Sequence, residues 1–187
     1  MNTALLKARD VVLGGGVICY PTDTIWGLGC DATNETAVAR IYEIKKRADN
    51  KSMLVLMDRV NRLDAYLREI PEIALQLIEV NDQPMTIIYS GAKNMAPNLI
   101  APDGSVGIRV TTDPFCRRLI ELIRRPLVST SANFSGSPSP RYFGEISPEL
   151  LKEVDYVAEW RQEETVPGKA SSVIKIGPGG EIQILRK

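Results

Sequence analysis

Histidine is absent from the 187 residues. That absence removes serine–histidine–aspartate and cysteine–histidine triads, histidine general acids and most zinc sites. Cysteine is scarce: Cys19, Cys30 and Cys116 are odd in number and share no metal-type CxxC spacing. They are expected as reduced core residues of a cytosolic protein. No apolar run approaches the roughly 20 residues that a membrane span needs, and no signal-peptide pattern opens the chain. Net charge is lacking too, because 23 basic and 23 acidic residues cancel. No global field therefore draws in nucleic acid, although a local basic patch is compatible with the balance. The familiar nucleotide motifs also fail. No GxGxxG occurs, Gly14-Gly15-Gly16 precedes a strand, and Gly168-Lys169 is followed by Ala170 where a P-loop needs serine or threonine. Chemistry must run on Lys, Arg, Ser, Thr, Asn and carboxylates.

What is present suits one folded unit. With 44% hydrophobic and 25% charged residues the chain can close a core, so a single domain over residues 1–187 is expected. Periodicity predicts helices over Leu5–Leu13 (Thr3 as cap), about Glu35–Ile44, Asn61–Arg68, Pro71–Val80, Pro114 to about Ile123, and Pro148–Val154. Apolar runs predict strands over Val17–Tyr20, Met53–Met57, Thr86–Tyr89, Val106–Val110, Leu127–Thr130, Tyr156–Ala158, Val173–Ile176 and Ile182–Leu185. A loop rich in serine, proline and glycine joins Thr130 to Ile146. This loose alternation implies an α/β class: a twisted mixed sheet, largely able to pair antiparallel, with flanking helices.

Three polar stretches interrupt this pattern. In "YPTDTIWGLG", Thr22 and Thr24 flank Asp23 at a strand end. In "IKKRADNK", Lys45 and Arg47 flank Lys46 where the second helix runs out. In "STSAN", Ser129, Ser131 and Asn133 alternate. Residues two apart share a face only on extended chain, so Lys45 and Arg47 can grip one ligand only where the helix has unwound. Thr22 and Thr24 are expected on one face, with Gly27 and Gly29 letting backbone approach a small ligand. Asp23 is then expected to turn away and fix the turn after Pro21. Each stretch also has a plain structural use, as turn former, dipole complement or, for Trp26, core packing. Together, at the ends of strands and helices of one α/β sheet, they mark a site.

Six segments, "YPTDTIWGLGCDA", "IYEIKKRADNKSM", "VGIRV", "STSANFSGSPSP", "ASSVIKI" and "ILR", resemble in that order the signature of the YrdC-type L-threonylcarbamoyladenylate synthase family. The resemblance runs from about Lys7 to Arg186. It implies a YrdC-like sheet around a concave, positively lined cavity. It also implies an enzyme making threonylcarbamoyl-AMP and pyrophosphate from L-threonine, bicarbonate and ATP. Magnesium would ride on the ATP phosphates, with no metal ligand from the protein. The product would pass to downstream transfer proteins that modify adenosine 37 of tRNAs reading ANN codons, in the cytoplasm. Carried over residue by residue, the resemblance makes Lys45 and Arg47 catalytic. Arg47, Lys51, Ser105, Ser131, Asn133, Ser139 and Arg186 would bind ATP; Thr22, Thr24, Leu56, Arg109, Ser129 and Ser172 would bind threonine. Leu56 stands where some relatives carry histidine, and Trp26 where tyrosine is usual. Ending at Lys187, the chain is expected to lack the C-terminal domain of longer relatives.

The implied reaction joins two anions and builds charge on a leaving pyrophosphate, so cations and positioning matter more than proton relays. A histidine-free enzyme suits that demand. Two rivals stand beside it: a relative carbamoylating another acceptor, as in hydrogenase-maturation proteins, and a non-catalytic RNA-binding module. The zinc-finger cysteines of the first are missing here. Intact Lys-x-Arg and Ser-x-Asn, with zero net charge, disfavour the second, although weak tRNA or RNA contact is compatible with the sequence.

Overall fold

The computed structural model describes residues 1–46, 53–177 and 179–187. Arg47 and Lys51 lie outside the described residues. Helix α1 (Asn2–Leu13) leads into strand β1 (Ile18–Tyr20) and, across the Pro21–Trp26 loop, β2 (Gly27–Gly29). Helix α2 (Glu35–Lys45) and strand β3 (Leu54–Met57) follow, then α3 (Glu72–Val80), β4 (Met85–Tyr89) and β5 (Val106–Val110). Helix α4 (Pro114–Ile123), β6 (Leu127–Ser131), α5 (Pro148–Glu153), β7 (Tyr156–Val157), β8 (Ser172–Ile176) and β9 (Ile182–Arg186) complete the chain.

The starts of α2 and α4 are set locally. Asn34 Oδ1 accepts the Ala37 amide, and Asp113 Oδ1 accepts the Cys116 amide with Pro114 in the first turn. Thr3 does not cap α1, which begins at Asn2 with Met1 before it and no side-chain cap. The predicted helix Asn61–Arg68 is a 3-10 turn over Val60–Ala65. The strand β2 was not predicted, because Gly-Leu-Gly carries no strand signal of its own.

The nine strands found among the described residues form one mixed sheet in the order β7-β1-β2-β6-β3-β5-β4-β8-β9. The pairs β1–β7, β3–β5 and β4–β8 are parallel, and the rest are antiparallel. Strand alternation divides the side chains between two cores. Val17, Cys19, Leu28, Val55, Ile87, Ile108 and Ile174 face α2 and the 3-10 turns on one side. Ile18, Tyr20, Leu56 and Leu127 face α1 and α4 on the other. The α1–α4 layer covers only the β7-to-β6 part of that second face and the end of β3. Over the rest of β3, and over β5, β4 and β8, the same face stays open. That opening is the floor of a cavity of about 330 Å³.

Candidate active site

Period-two alternation selects the residues on this floor. Leu54, Thr86, Ile88, Gly107, Arg109, Ser129, Ser131 and Val173 all have the parity opposite to the first core, and all line the cavity. Thr24 to Gly27, Ser105, Ser139, Ala170, Ser171 and Arg186 build the walls. The sequence-predicted residues Thr24, Ser105, Arg109, Ser129, Ser131, Ser139 and Arg186 therefore meet in one place.

Arg109 is the electrostatic centre. It is only 3% exposed, and its Nε has no hydrogen-bond partner among the described residues. Its Nη2 lies 3.0 Å from Asp23 Oδ1, an ion pair in which Oδ1 accepts no aligned hydrogen bond. Arg186 stands on the same wall with Nε donating to the Ser171 carbonyl at 2.8 Å. Burial first, and the charge of Arg109 second, push the Arg186 guanidinium below its ordinary pKa. One buried and one partly exposed cation on the same wall favour an anionic guest. Beside them, Ser105 is tied to Asp103: its hydroxyl donates at 2.5 Å and its amide at 3.0 Å. That hydroxyl, followed by Lys175, holds the Asp103 carboxyl down at about 2.

The Pro21–Trp26 loop is built differently from the sequence expectation. Thr22 is buried and makes the turn: its hydroxyl accepts the Thr24 amide at 3.0 Å and donates to the Ile25 carbonyl at 2.7 Å. Thr22 borders a neighbouring cavity of about 370 Å³, whereas Thr24 borders both. The turn former is thus Thr22, not Asp23, whose carboxylate goes to Arg109 and to the Thr111 hydroxyl at 3.1 Å. Gly29 serves packing and not ligand approach, since a Cβ there would lie 2.5 Å from the Val128 carbonyl and 2.6 Å from Tyr20 Cε1. Gly27 does line the cavity.

Four further expectations change. Leu56 is fully buried beneath α4, one alternation past the open stretch of β3, and does not reach the cavity. Ser172 turns to the neighbouring cavity, and Ser171 takes the inward position, 2.9 Å from the Thr86 hydroxyl. Lys45 is 2% exposed and its Nζ donates to the carbonyls of Ser131 (2.5 Å) and Asn133 (2.7 Å). Asn133 stays in its own loop, taking the Ser131 hydroxyl on Oδ1 and donating to the carbonyls of Phe134 and Ser137. Lys45 and Asn133 therefore shape the Ser131 wall from behind, and neither lines the cavity. Ser171 and Thr86 were missed in sequence, although the alternation along β4 and β8 already separates them from the core. Trp26 does two things: it packs on Phe143 with ring centroids 4.8 Å apart and lines the cavity.

No thiol competes for a catalytic role. Burial pushes Cys19 up to about 12 and raises Cys30 and Cys116, so all three stay protonated at neutral pH.

A mixed α/β sheet with a polar, cation-bearing cavity on its uncovered face defines a small-molecule-binding class. The family profile Sua5/YciO/YrdC, described as telomere recombination, matches residues 10–187, and the chain belongs to that family. A putative threonylcarbamoyl-AMP synthase of Methanocaldococcus jannaschii is 36% identical over 169 residues, 90% of this chain and 78% of the relative. A threonylcarbamoyl-AMP synthase of Pseudomonas aeruginosa is 38% identical over 135 residues, 72% of each chain. Among solved structures, E. coli YciO superposes with a TM-score of 0.86 at 26% identity, covering 100% of this chain and 90% of that one. Sua5 from P. abyssi bound to L-threonine gives 0.79 at 25% identity, covering 91% and 50%. The chain thus spans about half of that Sua5.

Proposed function

We propose that this protein condenses L-threonine, bicarbonate and ATP into threonylcarbamoyl-AMP with release of pyrophosphate and of the water lost when the threonine amine and bicarbonate form a carbamate. The observation that carries the reading is Arg109: a buried guanidinium lining a cavity rimmed by the hydroxyl residues Thr24 and Ser129. A guanidinium edge matches an α-carboxylate, and the hydroxyls suit a threonine side chain. In the reaction a carbamate oxygen bonds to the α-phosphorus as the bond from that phosphorus to pyrophosphate breaks. Arg186, Ser105, Ser131 and Ser139 line the same cavity and would hold the nucleotide, with Arg47 and Lys51 as proposed phosphate partners. Magnesium enters as part of the MgATP substrate. Among the described residues no cluster of three or more acidic, cysteine or histidine groups could hold an ion.

The names of the relatives, threonylcarbamoyl-AMP synthases, support the same activity. We propose in addition that its product passes to tRNA-modifying transfer proteins in the cytoplasm. No helix of the described residues is long and apolar enough to cross a membrane. The deciding experiment measures pyrophosphate release from ATP and bicarbonate with and without L-threonine. Threonine-dependent release is expected; release indifferent to threonine would sink the reading.

A further inference from the structure

Arg109 and Arg186 share one wall, and like charges there tend to part. A long side chain with an unpartnered Nε needs an anchor to stay in place. Asp23 supplies one, and it does so from outside the cavity that Arg109 lines, because Asp23 borders the neighbouring cavity. Its Oδ1 makes a charge contact with Nη2, while its Oδ2 accepts the Thr111 hydroxyl at 3.1 Å. Thr111 is itself fixed, accepting the Asp113 amide at 3.2 Å. Asp113 caps α4 and pairs with Arg161 at 3.1 Å, and Arg161 donates to the Thr22 carbonyl at 3.2 Å. The loop carrying Asp23 is therefore fastened at Thr22 and Asp23 to the start of α4. The local turn is already made by Thr22, so the Asp23 carboxylate is free of that duty.

We infer that Asp23, held by Thr111, is a positioning residue that holds the Arg109 guanidinium at the cavity wall, ready for a carboxylate. That the carboxylate belongs to threonine rests on the function proposed above. Asp23 touches no substrate atom in this account; it acts through Arg109.

Asp23→Asn keeps size and the Thr111 hydrogen bond but removes the charge. Its KM for L-threonine is expected to rise about tenfold, while KM for ATP and kcat change less than about threefold. Thr111→Val is expected to raise the same KM about threefold. The double variant should match Asp23→Asn alone, since Thr111 acts only through Asp23. The Arg109 Nε–H resonance of 15N-labelled protein, assigned with Arg109→Lys, should move in both variants without any substrate present. An unmoved resonance, or KM values for threonine and ATP that rise together, would overturn the inference. Should Asp23→Asn not fold, Thr111→Val decides by the same two readings. Absence of threonine-dependent turnover in the unaltered protein would defeat the functional reading, while the resonance still tests the positioning.

Discussion

At the residue scale, Arg109 combines a buried charge with an empty donor, and Thr24 brings a hydroxyl whose partner is the turn-forming Thr22 at 2.8 Å. A pocket that bonds a hydroxyl leaves those groups unpaired when the ligand lacks one. Valine, the isostere of threonine, is therefore expected to fall at least about a hundredfold in kcat/KM, with serine rejected less severely. Comparing initial rates with the three amino acids checks this; equal rates for valine and threonine would show the pocket is misread. Lys45 needs a different forecast from the one its sequence suggests. As a surface lysine at a helix end it could be removed with little effect on stability, but in the fold it is buried against two carbonyls. Lys45→Met should destabilise by about 2–3 kcal/mol, because the carbonyls lose a charged donor. Denaturant unfolding of the variant reads the number directly.

At the element scale, the site depends on three segments held against one another. The segment containing Gly168 lies on the Pro21–Trp26 loop, where a Cβ on Gly168 would collide with the Thr24 carbonyl. The Gly168 amide also donates to the Arg141 carbonyl at 2.8 Å, so the glycine cannot simply back away. Gly168→Ala should cost about 1–3 kcal/mol in stability and shift Thr24, raising KM for threonine. Unchanged melting and unchanged KM would mean the contact yields freely. The reading of elements from sequence succeeded where periodicity is strong. Helix α4 was legible from Asp113-Pro114 and its apolar stripe, and β5 from "VGIRV". It failed at β2, where Gly29 stands in a strand because the Val128 carbonyl and the Tyr20 ring occupy the space a side chain would need. It failed by one residue at β8, where "ASSV" offers two serines and only the register with Met85 and Thr86 decides which points inward.

At the scale of the molecule, the cavity exists because two helices cover less of one sheet face than the sheet presents. A guest that fills it binds only the folded state, so it should raise the melting temperature. At about a hundred times its Kd a ligand adds about 2.7 kcal/mol, or roughly 5–10 °C for a chain of this size. Differential scanning with L-threonine or MgATP measures the shift, and none at saturating concentrations would contradict a cavity-bound substrate. Acid tests the wall from another side. Asp103 titrates at about 2 when folded, below its ordinary value, so its contribution is full above about pH 4. It is lost as pH falls from about 4 toward 2, and Asp103→Asn should flatten that limb of the stability profile.

The sequence alone determined the chemistry available to this protein. No histidine and three cysteines without metal-type spacing leave charge stabilisation by arginine and lysine, and the ordered motifs name the family through residue types at set spacings. It also determined which residues could share a face, because alternation is a local property of extended chain. Only the tertiary structure decided which alternating face is open, since that depends on where α1 and α4 stop covering the sheet. For that reason Leu56 is core while Leu54 is floor, two residues apart on one strand. The partnership of Asp23 with Arg109 was likewise invisible in one dimension. The two are joined by a loop and a strand far apart in sequence, and a charge contact depends on distance in space.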